Sequence, residues 1–164
     1  MNNNFWKGKR VLVTGDTGFK GAWLSLILDM HGAKVQGISS SKFSGNNELY
    51  SFLRINEISN TFDCDVRDFD GVLSAFNSFK PEVVFHMAAQ PLVRQSYQDP
   101  VTTYEVNVMG TMSILEAVRQ SPSVQSAVIV TTDKCYKNNE WEWGYRENDP
   151  MGGHDPYSSS KACA

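Results

Sequence analysis

The chain has 164 residues, 41% hydrophobic and 20% charged, with a formal net charge of −3, which suits one soluble globular domain able to bury a core. Weak acidity without any Lys/Arg block excludes a nucleic-acid binder, which shows a basic stripe. Cys64, Cys135 and Cys163 form no CxxC pair and the histidines stand in no metal-ligand spacing, which excludes a disulfide framework and a metal centre and suits a reducing cytoplasm. In chain order, residues 10–14 form a short β-branched run that predicts a buried strand. A glycine-rich turn follows, then a helix over 22–31 with Trp23, Leu24, Ile27 and Leu28 on one face and Gly32 as its stop. Residues 34–38 predict a second strand, 39–47 a Ser/Gly/Asn-rich loop, and 48–55 a short helix.

Residues 61–65 predict a third strand. Asp68 is placed to cap a helix that turns Val72, Leu73, Ala75 and Phe76 inward. A fourth strand covers 83–87, a long helix 101–119 and a fifth strand 126–131. A polar, Trp-rich loop fills 137–153, and a last helix begins near Asp155. Apolar strands alternating with helices predict an α/β fold, a Rossmann-type doubly wound parallel sheet with helices on both faces. No apolar run reaches membrane-spanning length, and the N-terminus lacks an apolar signal core. Because the chain stops inside a predicted helix, residues 1–164 read as an incomplete nucleotide-binding domain, truncated before a C-terminal substrate domain.

Two constellations carry chemistry. Gly15, Gly18 and Gly21 lie between the first strand and the first helix, with Thr17, Phe19 and Lys20 interleaved. The first glycine allows a sharp turn, the second lets backbone N–H groups approach a pyrophosphate, and the third lets helix and strand pack closely. The helix N-terminus then offers free amides and a positive dipole end to phosphates. Asp65 and Val66 are placed to take the adenine amino group and cover its ring, or else to form a turn. Ala88, Ala89 and Gln90 let the backbone approach a cofactor, or simply pack tightly. After the second strand, residues 38–42 hold neither the acid that would bind an NAD ribose nor an arginine for NADP, so that choice stays open.

The second constellation pairs Tyr157 with Lys161, one helical turn apart. An ammonium beside a phenol favours the phenolate, which suits Tyr157 as an acid/base toward a sugar hydroxyl. Thr132, Asp133 and Lys134 follow the fifth strand, at the sheet end where ligands bind in such folds. Asn107 and Arg94 stand as cofactor or substrate neighbours, with a structural role equally open. Trp141, Trp143 and Tyr145 suit a lid or a contact between subunits, though such aromatics more often pack.

The GxxGxxG turn, residues 85–94, 107–111, 132–136 and 143–147, and the Tyr157/Lys161 pair together resemble the sugar-nucleotide 4,6-dehydratases of the extended short-chain dehydrogenase/reductase family, over the N-terminal part of such enzymes. Lys134, where relatives of the dTDP-glucose branch carry glutamate, resembles the CDP-glucose branch. The resemblance implies a lyase of deoxysugar and lipopolysaccharide O-antigen synthesis with tightly held NAD. It implies CDP-glucose as substrate, and a homodimer pairing the helix from Val101 and the helix begun at Tyr157. It further implies Tyr157, Thr132, Asp133, Lys134 and Lys161 as catalytic groups. An epimerase or reductase of the same family, and a fragment that binds nucleotide without turnover, are the alternatives.

Overall fold

The computed structural model describes residues 4–41 and 48–164. The predicted loop over 39–47 lies, from residue 42 to 47, outside the described residues. Five strands, β1 (Arg10–Thr14), β2 (Lys34–Ser39), β3 (Ser59–Asp63), β4 (Val83–His86) and β5 (Ser126–Ile129), pair in parallel in the order β3-β2-β1-β4-β5. Alternation along β1 divides the core. Leu12 packs with Ile38, Val72, Phe76, Val84 and Ile114 on one face, while Val11 and Val13 pack with Leu28, Val35 and Val83 on the other. Helices α4 (Phe69–Phe79) and α7 (Gly110–Gln120) supply the first face and α1 (Phe19–Met30) the second. This is the doubly wound α/β sheet the alternation predicts. Successive strands are added to one side of β1 as far as β3 and to the other side from β4 onward, and this switch between β1 and β4 opens a crevice at their carboxyl ends.

Several boundaries differ from those expected. Helix α1 starts at Phe19 rather than Ala22, because Gly15 (φ 71°) completes the turn and Gly18 is already the extended N-cap residue. The single helix expected over 48–55 is two, α2 (Glu48–Phe52) and α3 (Ile55–Ile58), interrupted by Arg54 in the left-handed region (φ 52°). Strand β3 ends at Asp63, two residues before the expected limit, since Asp65 already forms a turn in which its carbonyl accepts from Asp68 N–H at 2.9 Å. Strands β4 and β5 end one and two residues early. An unexpected helix, α5 (Val93–Gln98), precedes the long one. Asp68 caps α4 as expected, its carboxylate accepting from Gly71 N–H.

The long helix runs as α6 (Pro100–Tyr104), a π-helical turn (Glu105–Met109) and α7. Pro100 occupies its first turn, where no N–H is needed, and the Asp99 side chain caps it through Thr102 N–H. The last helix, α8 (Pro156–Cys163), repeats the device: Asp155 accepts from the Ser158 N–H and hydroxyl at 2.9 and 2.6 Å. The 137–153 loop is pinned by one antiparallel bridge, Tyr136 to Met151, and by Tyr136 stacked on Tyr145 at 5.0 Å.

His86 ties the sheet to the π turn. The Thr14 hydroxyl oxygen accepts from Met87 and Ala88 N–H, each at 3.1 Å, so its own proton goes to His86 Nδ1 at 2.7 Å. That assigns the ring proton to Nε2, which donates to Thr111 Oγ1 at 3.0 Å; Thr111 donates in turn to the Asn107 carbonyl at 2.7 Å. A second ring proton has no acceptor here. Burial, with the charge of Lys161 adding, pushes the imidazole from 6.5 down to about 4. The folded form therefore binds fewer protons than the unfolded chain between those values. Stability is full above about pH 6.5 and falls as pH drops toward 4, by about 3 kcal/mol in all. Denaturant melts from neutral pH to pH near 5 are expected to show this slope in the native protein. The slope should be absent in His86→Asn, and an equal slope in both would refute the assignment.

Candidate active site

A cleft of about 740 Å³ opens at the carboxyl ends of the strands. Its floor is the glycine turn. A Cβ on Gly15 would stand 2.9 Å from the Ala88 backbone, and one on Gly21 would overlap the Gly15 carbonyl. The bare backbone therefore packs directly against α1 and the loop after β4, shaping a cradle at the cleft floor. No side chain caps the start of α1, so its first N–H groups face the cleft, as an anion site requires. Thr17, Gly18, Phe19 and Lys20 complete this wall. The cradle fits the pyrophosphate of a dinucleotide, and Asp65 and Val66, the residues expected at its adenine, line the same cleft.

Asp65 is held by Arg67, whose guanidinium donates to both carboxylate oxygens at 2.7–3.1 Å and also reaches Glu105 at 2.8 Å. These bonds and charges hold the Arg67 pKa above its ordinary value, despite partial burial. Ala88, Ala89 and Gln90 line the cleft opposite the glycines. Asn107 does not line it. Its buried amide clamps Gln90, accepting from Gln90 N–H at 2.8 Å and donating to Gln90 C=O at 3.2 Å. The same amide donates to Ser160 Oγ on α8 at 2.9 Å. Asn107 thus joins the β4 loop, the π turn and α8, and its position is that of a brace. Arg94 is exposed on α5, away from the cleft.

Tyr157 and Lys161 both reach the cleft from α8. Lys161 is buried, and its Nζ donates to the Val130 carbonyl at 3.1 Å, just past β5. Burial lowers its pKa from the ordinary value, and the charge of Lys20 adds to that. Thr131 lines the cleft; Thr132, Asp133 and Lys134 lie on the next turn, outside the lining. Thr132 donates to Asp133 Oδ1 at 3.1 Å and caps the turn through Lys134 N–H, while Asp133 and Lys134 are exposed. The sequence reading also missed Ser39, Gln95, Asp99 and Thr102, which line the cleft. Ser39 carried a signal, as the last residue of β2; the other three depend on α5 and its turn into α6, which short polar sequence does not announce.

A family model described as GDP-mannose 4,6 dehydratase matches residues 12–164. The chain belongs to this family. It is 53% identical over 164 residues to the CDP-glucose 4,6-dehydratase of Salmonella typhimurium, a match covering all of this chain and 45% of that protein. Among solved structures, it is 32% identical to a Thermus thermophilus UDP-glucose 4-epimerase in complex with NAD, with a TM-score of 0.75 over 93% of this chain and 47% of that one. A Thermotoga maritima UDP-glucose 4-epimerase with UDP-glucose gives 25% identity and a TM-score of 0.82, over 93% and 48%. The chain spans about half the length of the relatives it matches.

Proposed function

We infer that the chain is the nucleotide-binding half of an NAD-dependent CDP-glucose 4,6-dehydratase, a hydro-lyase yielding CDP-4-dehydro-6-deoxy-D-glucose. Identity of 53% along the whole chain to the Salmonella dehydratase carries this reading. The glycine cradle and the Tyr157/Lys161 pair facing one cleft support it. NAD⁺, which the glycine cradle would hold, would supply the transient oxidation at sugar C4 and the reduction at C6. Tyr157 accepts the proton of the 4-hydroxyl, and Thr132 hydrogen-bonds the 4-oxygen. The resulting 4-ketone acidifies the C5 proton, which Lys134 removes while Asp133 protonates the departing 6-hydroxyl; once C6 is reduced, Lys134 returns a solvent-exchanged proton to C5. Lys161, which lines the cleft, would hold the nicotinamide ribose. The helix face bearing Val101, Met109, Met112 and Leu115, exposed and apolar, supports a homodimer in the full-length protein. Three free thiols suit a cytoplasmic location.

Full-length protein incubated in deuterated water with NAD⁺ and CDP-, dTDP-, GDP- or UDP-sugars tests this by mass spectrometry. Loss of water from CDP-glucose is expected. Lys134→Ala is expected to lose deuterium incorporation at C5; full incorporation would remove Lys134 from that role. Dehydration of another nucleotide sugar would overturn the substrate, and dehydration of none would favour an epimerase or reductase. Sedimentation as a monomer, or recovery outside the cytoplasmic fraction, would overturn the dimer or the location.

A further inference from the structure

The second strand ends without the acid that ordinarily holds a dinucleotide ribose, yet an acid lies immediately behind it. Asp16, from the glycine turn, is fully buried against β2 and β3. A Cβ on Gly37 would overlap its carboxylate, which accounts for glycine in the middle of an otherwise bulky strand. Ser39, the last residue of β2, donates to Asp16 Oδ1 at 2.7 Å, and Thr61 donates to Oδ2 at 2.5 Å. Because Thr61 spends its proton on the acid, Tyr50 donates to Thr61 at 2.9 Å. The chain of donors converges on one carboxylate, and Ser39 is the member that also lines the cleft.

This convergence sets the polarity of Ser39. Its proton points back at Asp16, and the Thr17 N–H approaches its oxygen at 3.4 Å. The remaining lone pair is what Ser39 offers to the cleft, at the end of β2 where an adenosine ribose sits in such folds. We propose that Asp16 and Ser39 together select NAD over NADP: Ser39 accepts from the ribose 2′-hydroxyl, and the carboxylate behind it repels a 2′-phosphate. A 2′-phosphate would bring more negative charge toward a buried carboxylate that, among the described residues, has no cation among its hydrogen-bond donors. Burial pushes the Asp16 carboxyl up from its ordinary value, while Thr61, Ser39 and two backbone N–H groups favour the anion.

The proposal rests on the dinucleotide reading given above. Calorimetry on the full-length protein compares NAD⁺, NADP⁺ and the NAD⁺ analogue lacking the adenosine 2′-hydroxyl. The native protein is expected to bind NAD⁺ roughly three- to tenfold more tightly than the deoxy analogue. Ser39→Ala is expected to bind those two alike, because the acceptor is gone. Asp16→Asn, similar in size and uncharged, is expected to reduce the preference for NAD⁺ over NADP⁺ by about tenfold. Undiminished discrimination against the deoxy analogue in Ser39→Ala overturns the proposal, even where Asp16→Asn fails to fold. So does an unchanged NAD⁺/NADP⁺ ratio in folded Asp16→Asn. Failure of the native protein to bind either dinucleotide overturns the reading beneath it as well, a result distinct from tight NAD⁺ binding with indifferent variants.

Discussion

Tyr157→Phe is expected to lower dehydration of CDP-glucose by about 10²- to 10⁴-fold, the range a positioned acid/base contributes. The substitution removes one hydroxyl and leaves the ring. The surroundings that place the ring stay intact: Pro156 begins α8, Asp155 caps it, and Ser160 Oγ donates to the Tyr157 carbonyl at 2.7 Å. Lys161 is held independently by the Val130 carbonyl. Dinucleotide affinity is therefore expected to stay within about threefold, so that the loss falls on turnover rather than binding. Product formation followed by mass spectrometry, beside calorimetry with NAD⁺, separates the two. Turnover within a few-fold of native would remove Tyr157 from the chemistry. A parallel collapse of affinity and melting temperature would show that the hydroxyl is structural.

How clearly a residue's role could be read follows how locally that role is determined. Strands β1 and β4 are bounded within a residue because burial on both faces demands nearly continuous apolar sequence; β2, equally buried but carrying only Val35 and Ile38 as large apolar residues, is bounded instead by Gly32 before it and the serine run after it. The edge strands follow no such pattern. Residues of β3 (Ser-Asn-Thr-Phe-Asp) and β5 are largely exposed or half-buried, so their ends are set by hydrogen bonding rather than by hydrophobic pattern. The π turn was invisible, because its central Asn107 is fixed by Gln90 and Ser160, from segments 17 and 53 residues away. The glycine turn was legible because each glycine answers a local steric demand. Asp16 was not, although it sits within that turn: its partners Ser39 and Thr61 come from two other strands. Tyr157 and Lys161 were placed by their spacing on one helix, whereas the outward position of Asp133 and Lys134 follows from a 3₁₀ turn after β5.

The same distinction predicts opposite outcomes for two chemically identical substitutions. Gly21→Ala is expected to destabilise the protein by about 3 kcal/mol or more and to weaken dinucleotide binding, whereas Gly144→Ala is expected to change stability by less than about 0.5 kcal/mol. On helix propensity alone, alanine at Gly21 should stabilise by about 1 kcal/mol, since Gly21 lies inside α1. The neighbours reverse that sign. The new Cβ would overlap the Gly15 carbonyl and stand 2.7 Å from Asp16 Cα, both backbone atoms of the turn itself. Neither can swing aside as a flexible side chain would, so α1 must lift from β1. Lifting it loosens buried Ala22, Ser25 and Leu28 and withdraws the helix N-terminus from the cradle. Gly144 meets nothing within 4 Å. Denaturant midpoints for the two variants, with NAD⁺ affinity measured beside them, decide the matter. If Gly21→Ala matches Gly144→Ala in both, helix and turn are not packed closely enough for the cradle described above.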